Sequence, residues 1–255
     1  MSELHPTGWR RPPQVHTGRV LGRSVSNVIV RAPRVDFRAK APPVSDQRRT
    51  QSCVGHATRY AAGVLCARDG LDLVPAALAS YYDARDALHE TGLDAGALLA
   101  DALAGAEHRG LVDERAWPDE DARVLLPPDA TARAIATHTR LIDWEPLGHD
   151  AGTILGTLRY GLPIVFGVLV YPPLDTVGSD GRVAMPSRGQ TSRGGHALCA
   201  VGYDAHDLTD IRLIVPGSWG LKYGDHGFIY LPLDYVLDAY LCGEIHALHD
   251  VRHLA

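Results

Sequence analysis

Two residues of this chain have the type and setting for covalent chemistry. Cys53 follows the polar run Ser45-Asp-Gln-Arg-Arg-Thr-Gln-Ser52 and opens an alanine-rich stretch without proline. A cysteine at a helix start lies in the positive potential of unpaired amides, which favours the thiolate, and the thiolate is the nucleophile. His196 follows Gly194-Gly195 and opens the apolar run Ala-Leu-Cys-Ala-Val201. A neutral imidazole held by a strand takes a proton from a nearby thiol or stands beside it as an imidazolium–thiolate pair. Each also has a bland reading: Cys53 as a small buried hydrophobe, His196 as a strand-end residue that satisfies a neighbour. They stand 143 residues apart, so joint chemistry requires a fold that brings two distant segments to one place.

The pattern around them sets out that fold. Ser52 as N-cap and Gly70 as a stop predict a helix from Cys53 to Arg68, with Cys66 as a core residue inside it. Pro75 to His89 predicts a second helix. Leu98, Leu99, Ala102, Leu103 and Ala106, at helical spacing and ended by Gly110, predict a third. Residues 111–145 carry Trp117-Pro118 and Pro127-Pro128 and read as loop with one short helix. After a helix over 151–160, strand-like runs follow at 163–170, 196–203, 211–215, 228–231 and 244–248. Helices first and strands second predict an α+β fold, not an alternating parallel one.

Composition limits the function classes. The chain is 45% hydrophobic and 22% charged, as in ordinary globular proteins. It has no run of about 18 apolar residues that would span a membrane. The net charge of −5 argues against nucleic acid as the main partner. That total is uneven, because residues 1–49 hold ten basic residues against three acidic ones. Residues 1–34, rich in proline and arginine with one strand-like run at Val28-Ile29-Val30, read as a basic arm docked on the acidic body. The N-terminus lacks a secretory pattern, and the four cysteines do not have the spacing of a disulfide scaffold or zinc ribbon, which together predict a cytoplasmic setting.

Other chemistry-bearing clusters weigh less. His246, His249 and His253 would share a helix face as metal ligands, but Glu244 to Leu248 reads as a strand, so no metal is expected. Asp143-Trp144-Glu145 and Asp119-Glu120-Asp121 read as exposed loop charges beside prolines. Gly194-Gly195 precedes a strand, not a helix, so it is no phosphate loop, and no cofactor is expected.

Blocks in order along the chain carry a family resemblance. They are Val35-Asp36-Phe37-Arg38, Pro42-Pro43-Val44, Asp46-Gln47, Ser52-Cys53, Ser80-Tyr81-Tyr82, Asp94-Ala95-Gly96, Trp117-Pro118 and Gly161-Leu162-Pro163, then Gly194-Gly195-His196-Ala197, Gly202-Tyr203-Asp204, Ser218-Trp219-Gly220 and Gly224-Asp225-His226-Gly227-Phe228. Through them the sequence resembles the papain-like cysteine peptidases, in the bacterial form without a long propeptide. The Cys-to-His separation also falls in the range of about 130–150 residues typical of that family. The resemblance implies a two-lobed α+β fold in residues 35–255, with a helical lobe at about 46–145 and an antiparallel sheet or barrel lobe at about 146–255 facing it across the active-site cleft.

By the same resemblance Cys53 is the nucleophile, His196 the base and Gln47 an oxyanion donor. Trp219 shields the histidine, with Ser218 beside it, while Gly96, Gly195 and Gln51 lie along the substrate. Four positions depart from the family pattern. Gly217 stands where an asparagine usually orients the histidine, Arg48 and Gln51 replace loop glycines, and Thr50 replaces a disulfide cysteine. The implied function is thiol-dependent hydrolysis of a peptide or isopeptide bond in a peptide or protein substrate. The alternatives are acyl transfer or ligation through the same acyl-enzyme, and, because of Gly217, a peptide-binding protein on a peptidase scaffold.

Overall fold

The computed structural model describes residues 4–12 and 32–254. Helix α1 (Cys53–Arg68) is buried from Cys53 through Cys66. Its alanines, valines and leucine are buried together with His56, Thr58 and Arg59, so no face is left for water and the helix is stable only when enclosed. It is enclosed by helix α2 (Ala77–Ala87) and helix α3 (Leu99–His108) on one side and by strands on the other.

Two four-stranded antiparallel sheets form the other lobe. The first orders β1 (Arg34–Asp36), β5 (Gly202–Asp204), β6 (Arg212–Pro216) and β7 (Phe228–Pro232). The second orders β2 (Thr139–Pro146), β8 (Cys242–His253), β3 (Ile164–Leu169) and β4 (Gly195–Ala200). The described residues also form four shorter α-helices, α4 (Ala130–Ala136), α5 (Ala151–Arg159), α6 (Pro172–Asp175) and α7 (Leu233–Leu237), and two single-turn 3-10 helices at Arg38–Lys40 and Asp121–Arg123. One core joins α1, α2 and α3 to Val165, Cys199 and Val201 of the sheet side. A second lies inside the sheet lobe around Phe166, Tyr203, Leu213 and Tyr235.

The apolar run over 196–203 does not stay in one sheet. It divides at Val201, so that β4 joins one sheet and β5 the other, with the Val201 amide bonded to the Ile214 carbonyl at 2.9 Å. Residues 139–146, expected as loop, are a full strand that crosses the expected lobe boundary at 145/146. Its alternation is obscured because the register with β8 shifts twice between Leu141 and Trp144, and Asp143 and Glu145 face outward. Strand β8 runs for 12 residues, so His246, His249 and His253 lie on a strand and not on a helix face. The run Val28-Ile29-Val30 lies outside the described residues.

Candidate active site

The loop before α1 and the start of β4 meet at Cys53. The sulfur is fully buried, and the backbone amides of Gly8, Ala197, Val54 and Cys53 itself converge on it. Ala197 directly follows His196, so the sulfur lies against the strand residue next to the imidazole. Burial pushes the Cys53 thiol up to about 12 against the pull of those amides. Burial likewise pushes His196 down to about 3, with Arg193 and His5 acting in the same direction. In this covered state burial disfavours the charged form of each group.

The His196 ring stacks on Trp219 with centroids 4.5 Å apart, and Trp219 is flanked on its other side by His5 at 4.4 Å. His196 Nδ1 and Trp219 Nε1 are buried without hydrogen-bond partners. Gly217, where the resemblance expects an asparagine, has no side chain that could donate or accept there. Its backbone is tied down: its carbonyl accepts from the Tyr60 hydroxyl at 2.9 Å and its amide donates to the Gly227 carbonyl at 2.7 Å. A Cβ there would lie 3.1 Å from the Tyr223 ring, so Tyr223 fills the space a larger residue would need.

Gln47 is fully buried and held at both ends of its amide. Its Nε2 donates to the Thr50 carbonyl at 2.8 Å, and its Oε1 accepts from the Ser218 hydroxyl at 2.7 Å. The Gln47 amide also donates to the Ser218 carbonyl, and Asp46 bridges Trp219. Thr50 turns inward to bond Gln47 and Ser52, closing this loop with hydroxyls. Arg48 points away from it and pairs with Asp119 and Asp121. Burial raises the Asp119 carboxyl to about 6, although Arg48 draws it down.

Residues 4–12 lie in the cleft between the lobes. The amides of Gly8 and Trp9 both donate to the Gly195 carbonyl at 3.0 Å. The Ala97 amide donates to the Gly8 carbonyl at 2.8 Å, and the Arg10 amide donates to the Ala97 carbonyl at 2.9 Å. Thus Ala97, a position the sequence did not mark, makes the backbone pairing. The neighbouring Gly96 gives its amide to the Tyr81 hydroxyl and its bare Cα to the passing Gly8. Gln51 bonds Asp94 through both its backbone and its side chain, and its carbonyl faces Gly8.

Arg10 pairs with Glu90 at 2.6 Å, whereas Arg11 donates to the carbonyls of Ala239 and Tyr240. The deepest anchor is Trp9, 4% exposed, whose indole Nε1 donates to Glu244 at 2.6 Å. An aromatic residue among arginines and prolines was the available signal for it.

The remaining clusters stay apart. His246 pairs with Glu244, His249 with Glu145 and His253 with Thr139. Among the described residues no group of three or more His, Cys, Asp or Glu gathers to hold a metal ion. All four cysteines are free and buried. No helix among the described residues is long and apolar enough to cross a membrane.

No family model matches the chain. It is 28% identical over 218 residues to an uncharacterized peptidase C1-like protein of Acanthamoeba polyphaga mimivirus, covering 81% of this chain and 69% of that protein. Among solved structures it is similar to xylellain, a cysteine protease from Xylella fastidiosa, with a TM-score of 0.82, 24% identity and 99% of each chain covered. It is also similar to digestive procathepsin L 3 of Tenebrio molitor, with a TM-score of 0.70, 17% identity, and 93% of this chain and 74% of that chain covered. The architecture is therefore the papain-like two-lobed α+β fold.

Proposed function

We propose that this papain-like chain is a cysteine peptidase that hydrolyses peptide or isopeptide bonds through Cys53, His196 and Gln47. The observation that supports the reading is that Cys53 at the start of α1 lies against Ala197, the neighbour of His196, while Gln47 is tethered to Thr50 and to Ser218, which precedes the Trp219 stacked on His196. The relatives' descriptions as peptidase and protease point the same way.

In the reaction the Cys53 sulfur attacks the substrate carbonyl carbon as its proton passes to His196. The carbonyl π pair moves to oxygen, where the Gln47 amide and the Cys53 N–H stabilise the negative charge. When the tetrahedral intermediate collapses, the C–N bond breaks and His196 returns the proton to the leaving amine. Water, losing a proton to His196, then attacks the thioester and restores the thiol. An amine in place of that water would give acyl transfer through the same intermediate. Trp219 keeps solvent from the imidazole, and Gly195 and Ala97 present the backbone groups that an extended peptide pairs with.

The unpartnered Nδ1 of His196 favours a second reading, a peptide-binding protein that does not turn over. A peptide-library cleavage screen separates the two, run on the full chain and on its Cys53→Ala variant. Cleavage by the first and none by the second is the expected result. Peptide binding without cleavage by the full chain would establish the second reading, and cleavage that survives Cys53→Ala would remove the thiol mechanism.

A further inference from the structure

Helix α1 carries two polar side chains that the proposed reaction does not use. They are His56 and Tyr60, both buried and on one face of the helix. Ser45 stands between them. Its Oγ lies 2.8 Å from His56 Nδ1 and 2.9 Å from the Tyr60 hydroxyl, and its amide donates to that hydroxyl at 2.8 Å. The Tyr60 hydroxyl in turn donates to the Gly217 carbonyl, 157 residues away along the chain. At the other end His56 Nε2 is buried without a hydrogen bond, and Asp119 Oδ2 stands 3.5 Å from it, a gap that a small turn of the carboxyl closes. Asp119, an exposed loop charge by its sequence setting, has a side chain only 11% exposed.

Proton counting gives these contacts a direction, because a hydroxyl has one proton to donate. Tyr60 gives its own to Gly217, so the Tyr60–Ser45 contact needs the Ser45 proton, and the Ser45–His56 contact then needs a proton on Nδ1. A neutral imidazole with Nδ1–H has a bare Nε2 that requires a donor. Burial, Arg59, His196 and Arg48 all oppose a charge on His56, so the ring stays neutral. A protonated Asp119 is the donor to hand. Burial favours its acid form, as do Glu114 and Asp121, against Arg48 and Arg59. Those two arginines are engaged elsewhere, Arg59 with Glu114 and the Pro43 carbonyl, Arg48 with Asp121 and the Asp119 carbonyl.

We propose that Tyr60, Ser45 and His56 are positioning residues of the peptidase site, a directed hydrogen-bond chain through which the proton on Asp119 fixes Gly217. This rests on the peptidase reading of the cleft. Gly217 leads into Ser218, which tethers Gln47, and Trp219, which stacks on His196, so its place sets both. When Asp119 gives its proton to solvent, the carboxylate accepts from His56 Nε2 and the ring changes to its Nε2–H tautomer. Ser45 then donates to Nδ1 and has no proton left for Tyr60. The Tyr60 hydroxyl turns its proton to the bare Ser45 oxygen and releases the Gly217 carbonyl. The chain is reversed from end to end, and one proton has left it.

Two measurements on the full chain test it. The first reads kcat for peptide cleavage against pH in wild type, Asp119→Asn and Tyr60→Phe. An asparagine amide donates to Nε2 at every pH. The ratio of wild-type to Asp119→Asn activity should therefore fall about fivefold, as for one neutral hydrogen bond, while pH rises through the range where Asp119 loses its proton. Tyr60→Phe should lower kcat with little change in KM, and Asp119→Asn added to it should change nothing further. A ratio independent of pH, or an Asp119→Asn effect that survives in Tyr60→Phe, would overturn the proposal. The second measurement needs no turnover. Nuclear magnetic resonance of isotope-labelled protein reads the ring nitrogens of His56 and the carbonyl of Gly217. His56 should pass from the Nδ1–H to the Nε2–H tautomer as Asp119 loses its proton, with the Gly217 signal moving in step, and Asp119→Asn should hold the first tautomer throughout. A single His56 tautomer at every pH in wild type, or a Gly217 signal that does not follow the change, would refute the chain. A protein that shows the change of tautomer yet cleaves no peptide would sink the peptidase reading and leave the chain standing.

Discussion

The hydroxyl of Ser218 donates to the Oε1 of Gln47 at 2.7 Å across 171 residues of chain. This bond, with the one from Nε2 to Thr50, leaves Gln47 a single amide orientation in a buried setting. A donor fixed before substrate arrives needs no reorganisation when charge develops on the carbonyl oxygen.

Gln47→Ala is accordingly expected to lower kcat by roughly 100–1,000-fold with little change in KM. Ser218→Ala removes only the tether, a neutral bond of about 1 kcal/mol, and should cost roughly fivefold. Steady-state kinetics on both variants checks the ranking; a Ser218→Ala loss as large as that of Gln47→Ala would contradict the assigned roles.

The segment over the cleft is held chiefly by Trp9. Trp9→Ala deletes a buried indole and its bond to Glu244, a change of about 3–5 kcal/mol in typical cores. The cleft should then be open more often, raising turnover and the iodoacetamide labelling rate of Cys53 by roughly 10–100-fold, since part of the loss is shared with solvent-exposed open states. Cys66, Cys199 and Cys242 should label no faster. Peptide mapping by mass spectrometry reads all four thiols together.

Gly217→Asn places a side chain where Tyr223 now lies. Tyr223 is anchored through its hydroxyl to the Leu174 carbonyl at 2.5 Å, so it has little room to yield. The variant should lose about 1–3 kcal/mol of stability, the usual cost of overpacking. Urea unfolding measures it, and an unchanged midpoint would mean that Tyr223 gives way freely.

The carboxyl of Asp119 stands at about 6 against an ordinary 3.8, because burial outweighs Arg48. The folded chain thus keeps this proton between about 4 and 6, where the unfolded chain has released it. Its contribution to stability is fully present below about 3.8 and is lost as pH rises through 6, a change of roughly 2–3 kcal/mol. Asp119→Asn should flatten that part of the stability–pH curve; identical curves for both proteins would refute the assignment.

Much of the scaffold was legible because its elements obey simple periods. The enclosed helix α1 announces itself by alanine and the lack of proline, and β3 by an unbroken apolar run. Strand β2 was hidden because its two register shifts break the alternation that marks a strand. Cys53 and His196 drew attention because chemistry demands those residue types, and Gln47 entered only through the family resemblance. The site was illegible where only the backbone acts: Ala97 contributes an amide and a carbonyl, which every residue has. The place of Trp9 was hidden for a different reason. Its partners Ala97, Gly195 and Glu244 are far along the chain, and nothing local to Pro6-Thr7-Gly8-Trp9-Arg10 names them.

The covering segment also bears on how long the sulfur lasts. Peroxide attacks thiolates that solvent reaches, and climbs from there to acids that thiols do not reverse. Beside Gly8 the Cys53 side chain is fully buried, and burial raises its thiol well above the usual range. On the peptidase reading, a nucleophile buried in this way is out of reach of such oxidants for as long as residues 4–12 stay in the cleft.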